Sequence, residues 1–367
     1  MTLRLGRIER YVLTQQLKAL GVALAVIAAL VMLIDFVEVS RGLNSDGELS
    51  GFKVLSLVGV KSPAVIVQLL PFVFLFGTLG AYVSLNRRSE LIAMRAAGIS
   101  AWRFVLPAAA CAFVLGIASV TVIGPLAAAG DAHWQSERSR INNFGKDNTA
   151  QAPVWLREGD DARQMIIRGA SQNRANGQLL GASFFIYTTS EDGKRRFSER
   201  IDAETATLNA GRWRLTNAVG GQSGQRAVQY ATMDLPSNLA NEEAFQQFAR
   251  PQSLSIWQLP QQISRINSAG FASTSYDLRL QQLLATPLMF AAMSILAAAF
   301  SLRLMRLGDM ARMAVSAVVL GFAFYFVNQF SAAMGSAEVV PPFVAAWLPA
   351  ILTALAAITL LIYTEDG

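Results

Sequence analysis

Histidine and cysteine are almost missing from this chain: His133 and Cys111 are the single examples of each in 367 residues. One of each cannot assemble a His/Cys metal cluster or an intrachain disulfide framework. A nucleophilic triad would have to rest on His133, whose place just after a long apolar run suits a polar residue where a helix leaves a membrane. Charge is scarce too, at 15% of residues, against about a quarter in ordinary soluble domains. No G-x-x-x-x-G-K-[ST] occurs, which excludes P-loop ATP hydrolysis by this chain. The adjacent acids Asp160-Asp161 and Glu242-Glu243 sit in hydrophilic stretches and read as solvated surface. Enzyme chemistry is therefore the weaker class, with no catalytic residue, metal site or cofactor of the chain's own.

What the chain has is apolar length. Hydrophobic residues make up 53%, gathered into runs. About twenty apolar residues cross roughly 30 Å of hydrocarbon as a helix. Six segments meet that length: 17–39, 62–85, 102–129, 280–302, 313–334 and 341–363. The first is too long for a signal peptide and lacks an A-x-A site after it, so it is expected to remain as an anchor. Asp35 and Glu38 interrupt its far end, and Pro63, Pro71 and Pro287 fall within later runs, as membrane helices tolerate.

The net charge of +6 would suit a nucleic acid, but the placement of the basic residues speaks for topology instead. Arg4, Arg7, Arg10, Arg87, Arg88, Arg95, Arg103, Arg303, Arg306 and Arg312 all fall on one side of the six runs. The opposite short loops hold Arg41, Lys53 and Lys61. The positive-inside rule then predicts cytoplasmic termini and an outward-facing segment after the third span.

That segment, 131–277, holds 16 of the 31 Lys/Arg and breaks into short alternating runs, among them Met165/Ile167 and Trp213/Leu215. Glu191-Asp192-Gly193 and Asn209-Ala210-Gly211 suit hairpin turns. The pattern predicts an antiparallel all-β domain, whether sandwich, jelly roll or barrel. The expected organisation is 1–130 as a three-helix membrane half, 131–277 as the outer β domain, and 278–367 as a second three-helix half.

The most specific stretch is Arg88-Ser89-Glu90-Leu91-Ile92-Ala93-Met94-Arg95-Ala96-Ala97-Gly98. Ser89 suits an N-cap, with Glu90 near the positive helix end. Leu91, Met94 and Ala97 form an apolar face, and Gly98 a C-terminal stop. A short amphipathic helix between two spans suits docking into a groove of a soluble partner, or lying on lipid.

With the residues after it, this stretch resembles the coupling helix of lipopolysaccharide export permeases of the LptF/LptG type. Tyr276-Asp277-Leu278-Arg279, Gly321-Phe322 to Asn328-Gln329, Pro341-Pro342, Trp347-Leu348-Pro349 and Ile34-Asp35-Phe36-Val37-Glu38 resemble the LptG side of that family. The resemblance covers both membrane halves. It implies a permease subunit of an ABC transporter in the Gram-negative inner membrane that extracts lipopolysaccharide and passes it to a periplasmic jelly-roll bridge. Its partners would be an LptF-type sibling, an LptB-type ATPase dimer that binds the ATP and Mg, and a single-span LptC-type subunit. Glu90, Leu91, Met94, Arg88 and Gly98 would then couple to the ATPase, with salt contacts from Arg87 and Arg95. Asp35, Glu38, Arg41, Lys61, Phe72 and Phe326 would line the lipid site, together with Phe74, Phe76, Phe322 and Phe324. An acid at Asp35 must be neutralised beside an anionic head group, through protonation, a shared divalent cation or pairing with Arg41. The other readings are the LptF sibling, an exporter of another anionic lipid, or a membrane-anchored sensor, which has no need of the coupling helix.

Overall fold

A computed structural model describes residues 6–43, 51–142, 149–150, 154–159, 163–173, 178–189, 195–209, 211–222, 226–237, 250–268, 272–304 and 310–366. The expected turn at Glu191-Asp192-Gly193 and both acid pairs lie outside them. The chain divides into two compact units.

The first unit is a helical bundle. Its long helices are α1 (Arg7–Leu43), α2 (Gly51–Arg87), α4 (Ala101–Ala118) running on into α5 (Gly124–Asn142), α7 (Thr274–Leu304), α8 (Met310–Ser336) and α9 (Pro342–Asp366). The short α3 (Glu90–Ala96) joins them, and α6 (Leu259–Ser268) begins in this unit and ends in the second. Six helices among the described residues are long and apolar enough to cross a membrane, matching the six apolar runs in order. Between α4 and α5 the helix loosens into a π-turn, Ser119–Ile123, of the kind that marks functional sites.

Without a hydrophobic drive between helices in lipid, close backbone approach and shared polar groups hold such a bundle. Both are present. A Cβ on Gly116 of α4 would come within 2.6 Å of Pro287 Cα on α7. Gln16 of α1 donates to Thr78 of α2 at 3.1 Å and to Ser294 of α7 at 2.9 Å, all three buried. Phe74 stacks on Phe290 at 4.4 Å between these contacts.

The second unit is β1 (Thr149–Ala150), β2 (Val154–Gly159), β3 (Arg163–Asn173), β4 (Gln178–Thr189), β5 (Arg195–Asn209), β6 (Arg212–Gln222) and β7 (Val228–Pro236). All pair antiparallel in one sheet of order β1-β3-β4-β5-β6-β7, with β2 also on β3. The antiparallel all-β domain expected from the sequence is thus present, with β3 to β7 following one another as a meander. A single sheet encloses its core by creasing. Inward residues alternate as Ile201 and Ala203, then Ala206 and Leu208 on β5; on β6 they run Trp213 and Leu215, then Ala218. The parity flips where the ladder skips Gly181, Glu204 and Asn217, and Gly181 and Asn217 have positive φ. Each half-strand thus turns its apolar side to one core around Phe184 and Trp213, whose rings meet edge-on at 5.7 Å.

Candidate functional site

The bundle holds a cavity of about 450 Å³ between α2, α5, α7 and α8, reached also by residues 252–256. One wall is apolar, with Phe72, Leu283, Met289, Phe290 and Phe324. Another is polar: Arg279, Gln282 and Thr286 recur at i, i+3 and i+7 on α7, beside Asn328 and Gln329 of α8 and Gln68 of α2. That spacing sets three polar side chains on one face of an otherwise apolar helix. An apolar wall facing a few convergent polar groups is the usual form of a ligand site.

Lys61 of α2 lines the cavity. Its ammonium lies 2.8 Å from Asp35 and 2.8 Å from Glu38, and its charge sits over the Trp134 ring at 5.7 Å. Ser62 donates to the second Asp35 oxygen at 2.8 Å. Asp35, 4% exposed, is therefore neutralised by Lys61. Arg41, one of the routes to neutralisation left open by the sequence, stands exposed at the end of α1 instead. Asp35 reaches Lys61 because α1 and α2 pack against each other here, which residue spacing in the sequence does not reveal.

The aromatic candidates divide by helical angle. Residues two apart on a helix lie about 200° apart. Phe324 accordingly faces the cavity, while Phe322 and Phe326 face away, Phe326 being 66% exposed. Phe72 lines the cavity, whereas Phe74 is packed in the bundle core. Arg279, Gln282 and Asp131 were not singled out as site residues beforehand, though a polar i, i+3, i+7 stripe inside an apolar run was readable.

At the other end of the bundle, α3 lies between α2 and α4. Leu91, expected on a docking face, is 0% exposed and packs with Tyr82, Leu85 and Phe104 of the chain's own core, with Met94 beside it. Ser89 does not cap the helix; it adopts φ 60 without a side-chain cap bond. The stop at Gly98 is as the residue type implies. Gly98 takes φ +77, with Gly98 N–H donating to Arg95 O and Ile99 N–H to Met94 O, a Schellman closure. What α3 shows outward is Ile92, 60% exposed, with Ala93 and Ala96, and Arg88 is exposed just before the helix. Arg95 turns back to Glu365 of α9 at 3.3 Å, and Glu365 also accepts the Ala101 N–H at 3.1 Å. Glu90 Oε2 and Asn86 Oδ1, on either side of the α2–α3 turn, are both buried without a donor among the described residues.

The family model for the lipopolysaccharide export system permease LptF/LptG matches residues 10–363. The chain belongs to the LptF/LptG family. It is 22% identical over 351 residues to the lipopolysaccharide export system permease protein LptG of Escherichia coli K12, covering 94% of each chain. It is 21% identical over 362 residues to LptG of Haemophilus influenzae, covering 95% of this chain and 96% of that one. An LptF/LptG permease has to accept an amphiphile, and the two-walled cavity has that character. At this identity the side chains must carry the detail: the ion triad of Asp35, Glu38 and Lys61, the polar stripe on α7 and the buried anchoring of α3.

Proposed function

We propose that this chain is the LptG-type permease subunit of an ABC transporter that extracts lipopolysaccharide from the inner membrane and hands it to a periplasmic bridge. The observation that carries this is the cavity, with aromatic and aliphatic side chains for acyl chains facing a polar wall for a head group, in a chain of the LptF/LptG family. By the positive-inside rule, the basic residues around α3 and at the start of α1 favour cytoplasmic termini and a cytoplasmic α3, with the β unit in the periplasm. The motor is a separate ATPase, which binds ATP and Mg; an LptF-type sibling and a single-span LptC-type subunit complete the assembly.

In this reading α3 couples the motor to the bundle. Its inner face, Leu91 and Met94, fixes it to the core, so a push on its outer face moves α2 and α4. Ile92, Arg88 and the half-exposed Glu90 meet the ATPase. The roles expected for Glu90, Leu91, Met94, Arg88 and Gly98 are thereby divided: Leu91, Met94 and Gly98 hold the helix, while Glu90 and Arg88 touch the partner.

Affinity purification of the tagged chain from its native membrane, with mass spectrometry of what accompanies it, tests the assembly. An ATPase and a six-span sibling at stoichiometric yield are expected. Recovery of this chain alone, in a detergent that keeps it folded, contradicts the assignment.

A further inference from the structure

The charges along the cavity are unevenly matched. Lys61 is held by two carboxylates, Asp35 and Glu38. Asp131, which also lines the cavity, is engaged by the neutral side chains of Gln135 and Ser253. That part of the wall therefore has no spare positive charge. Arg279 does. It lies in the second turn of α7 and lines the same cavity, and its Nε is buried with no acceptor among the described residues. No ion pair joins it to a carboxylate among those residues. A guanidinium brings five donors and keeps its charge, and an unpaired one inside a membrane helix is among the costlier groups a fold can hold. Its neighbours on the cavity wall, Gln282, Asn328 and Gln329, offer further neutral donors and no competing carboxylate.

We propose that Arg279 is an anion-binding residue of this cavity, gripping a phosphate of the bound amphiphile; the inference rests on the lipid-cavity reading above. A planar fork matches two oxygens of a tetrahedral phosphate with parallel N–H bonds, which a lysine ammonium cannot do. The phosphate is expected at the α7 stripe, with the acyl chains along Phe72, Met289 and Phe324.

The test is binding of radiolabelled lipid A to the whole assembled transporter in nanodiscs, using the bisphosphorylated form and its enzymatically dephosphorylated counterpart. Arg279→Gln should weaken the phosphorylated lipid about tenfold or more and change the dephosphorylated one less than about twofold. Arg279→Lys should fall between, since it keeps charge without the fork. Equal loss for both lipids means that Arg279 only packs the helix, and undiminished binding of the phosphorylated lipid overturns the subsite outright. Should Arg279→Gln fail to assemble, the same pair of lipids on Arg279→Lys decides: selective loss supports the site and equal loss removes it. Displacement of lipid A by phosphatidylglycerol from the wild type but not from Arg279→Gln would keep the phosphate site and assign it to bilayer phospholipid. If the wild type retains neither form of lipid A, the cavity reading itself falls, and the subsite with it.

Discussion

At the scale of single residues, the ion triad shows how burial decides what a charge does. Asp35 has 6% and Lys61 14% of its side chain exposed, at 2.8 Å separation. Removing one member of a buried pair leaves the other uncompensated, at a cost of about 3–5 kcal/mol, whereas replacing both is often close to neutral. Lys61→Met should therefore lower the thermal unfolding midpoint in detergent well below that of the double variant Asp35→Asn/Lys61→Met. Equal midpoints for the two would show that the pair contributes nothing. Glu38 is more exposed, at 61%, and Glu38→Gln is expected to cost less than about 1 kcal/mol. The acids at the end of the first run were legible as functional candidates because ionisable residues there are rare. Their partner was not, since Lys61 and Asp35 are brought together by α1 and α2 packing, and spacing in the chain says nothing about the angle of that contact.

At the scale of elements, α3 separates two kinds of apolar residue that look alike in sequence. Leu91 and Ile92 are neighbours, yet one is fully buried and the other 60% exposed. Leu91→Asp should destabilise the permease itself by several kcal/mol, because a carboxylate without a partner enters the core. Ile92→Asp should leave the isolated permease folded and lower recovery of the ATPase. Size-exclusion profiles of both variants, with and without the ATPase, separate the roles; matching behaviour contradicts the two-sided assignment. Glu90→Lys is expected to act like Ile92→Asp. The Gly98 stop was legible because φ +77 favours glycine. The cap at Ser89 was not: in the turn between α2 and α3 it sits in the left-handed region, at φ 60, and makes no side-chain cap bond. The same geometry explains the aromatics of α8, where a two-residue spacing placed Phe322, Phe324 and Phe326 together on paper and on opposite faces in the helix.

At the scale of the whole molecule, apolar length and alternating runs were enough to announce six spans and an inserted β unit, and the strand pairing adds what alternation alone cannot. A residue-by-residue period of two says which side is inward along one stretch. It does not say that the side changes at Gly181, Glu204 and Asn217, and that crease is what lets one sheet hold a core around Trp213. The β unit carries its own buried cluster, so residues 139–250 expressed alone should give a circular dichroism spectrum dominated by β structure. A largely unfolded product would show that its core depends on the rest of the chain.

The central claim is that this chain moves lipopolysaccharide out of the inner membrane, and depletion tests it most directly. The chain is placed under a repressible promoter in its own host, and newly made lipopolysaccharide is pulse-labelled. Inner and outer membranes are then separated by density. The account predicts that label accumulates with the inner-membrane marker as the protein runs out, and that expression of the wild-type chain returns it to the outer membrane. Label arriving in the outer membrane at an unchanged rate after the protein is gone would contradict it.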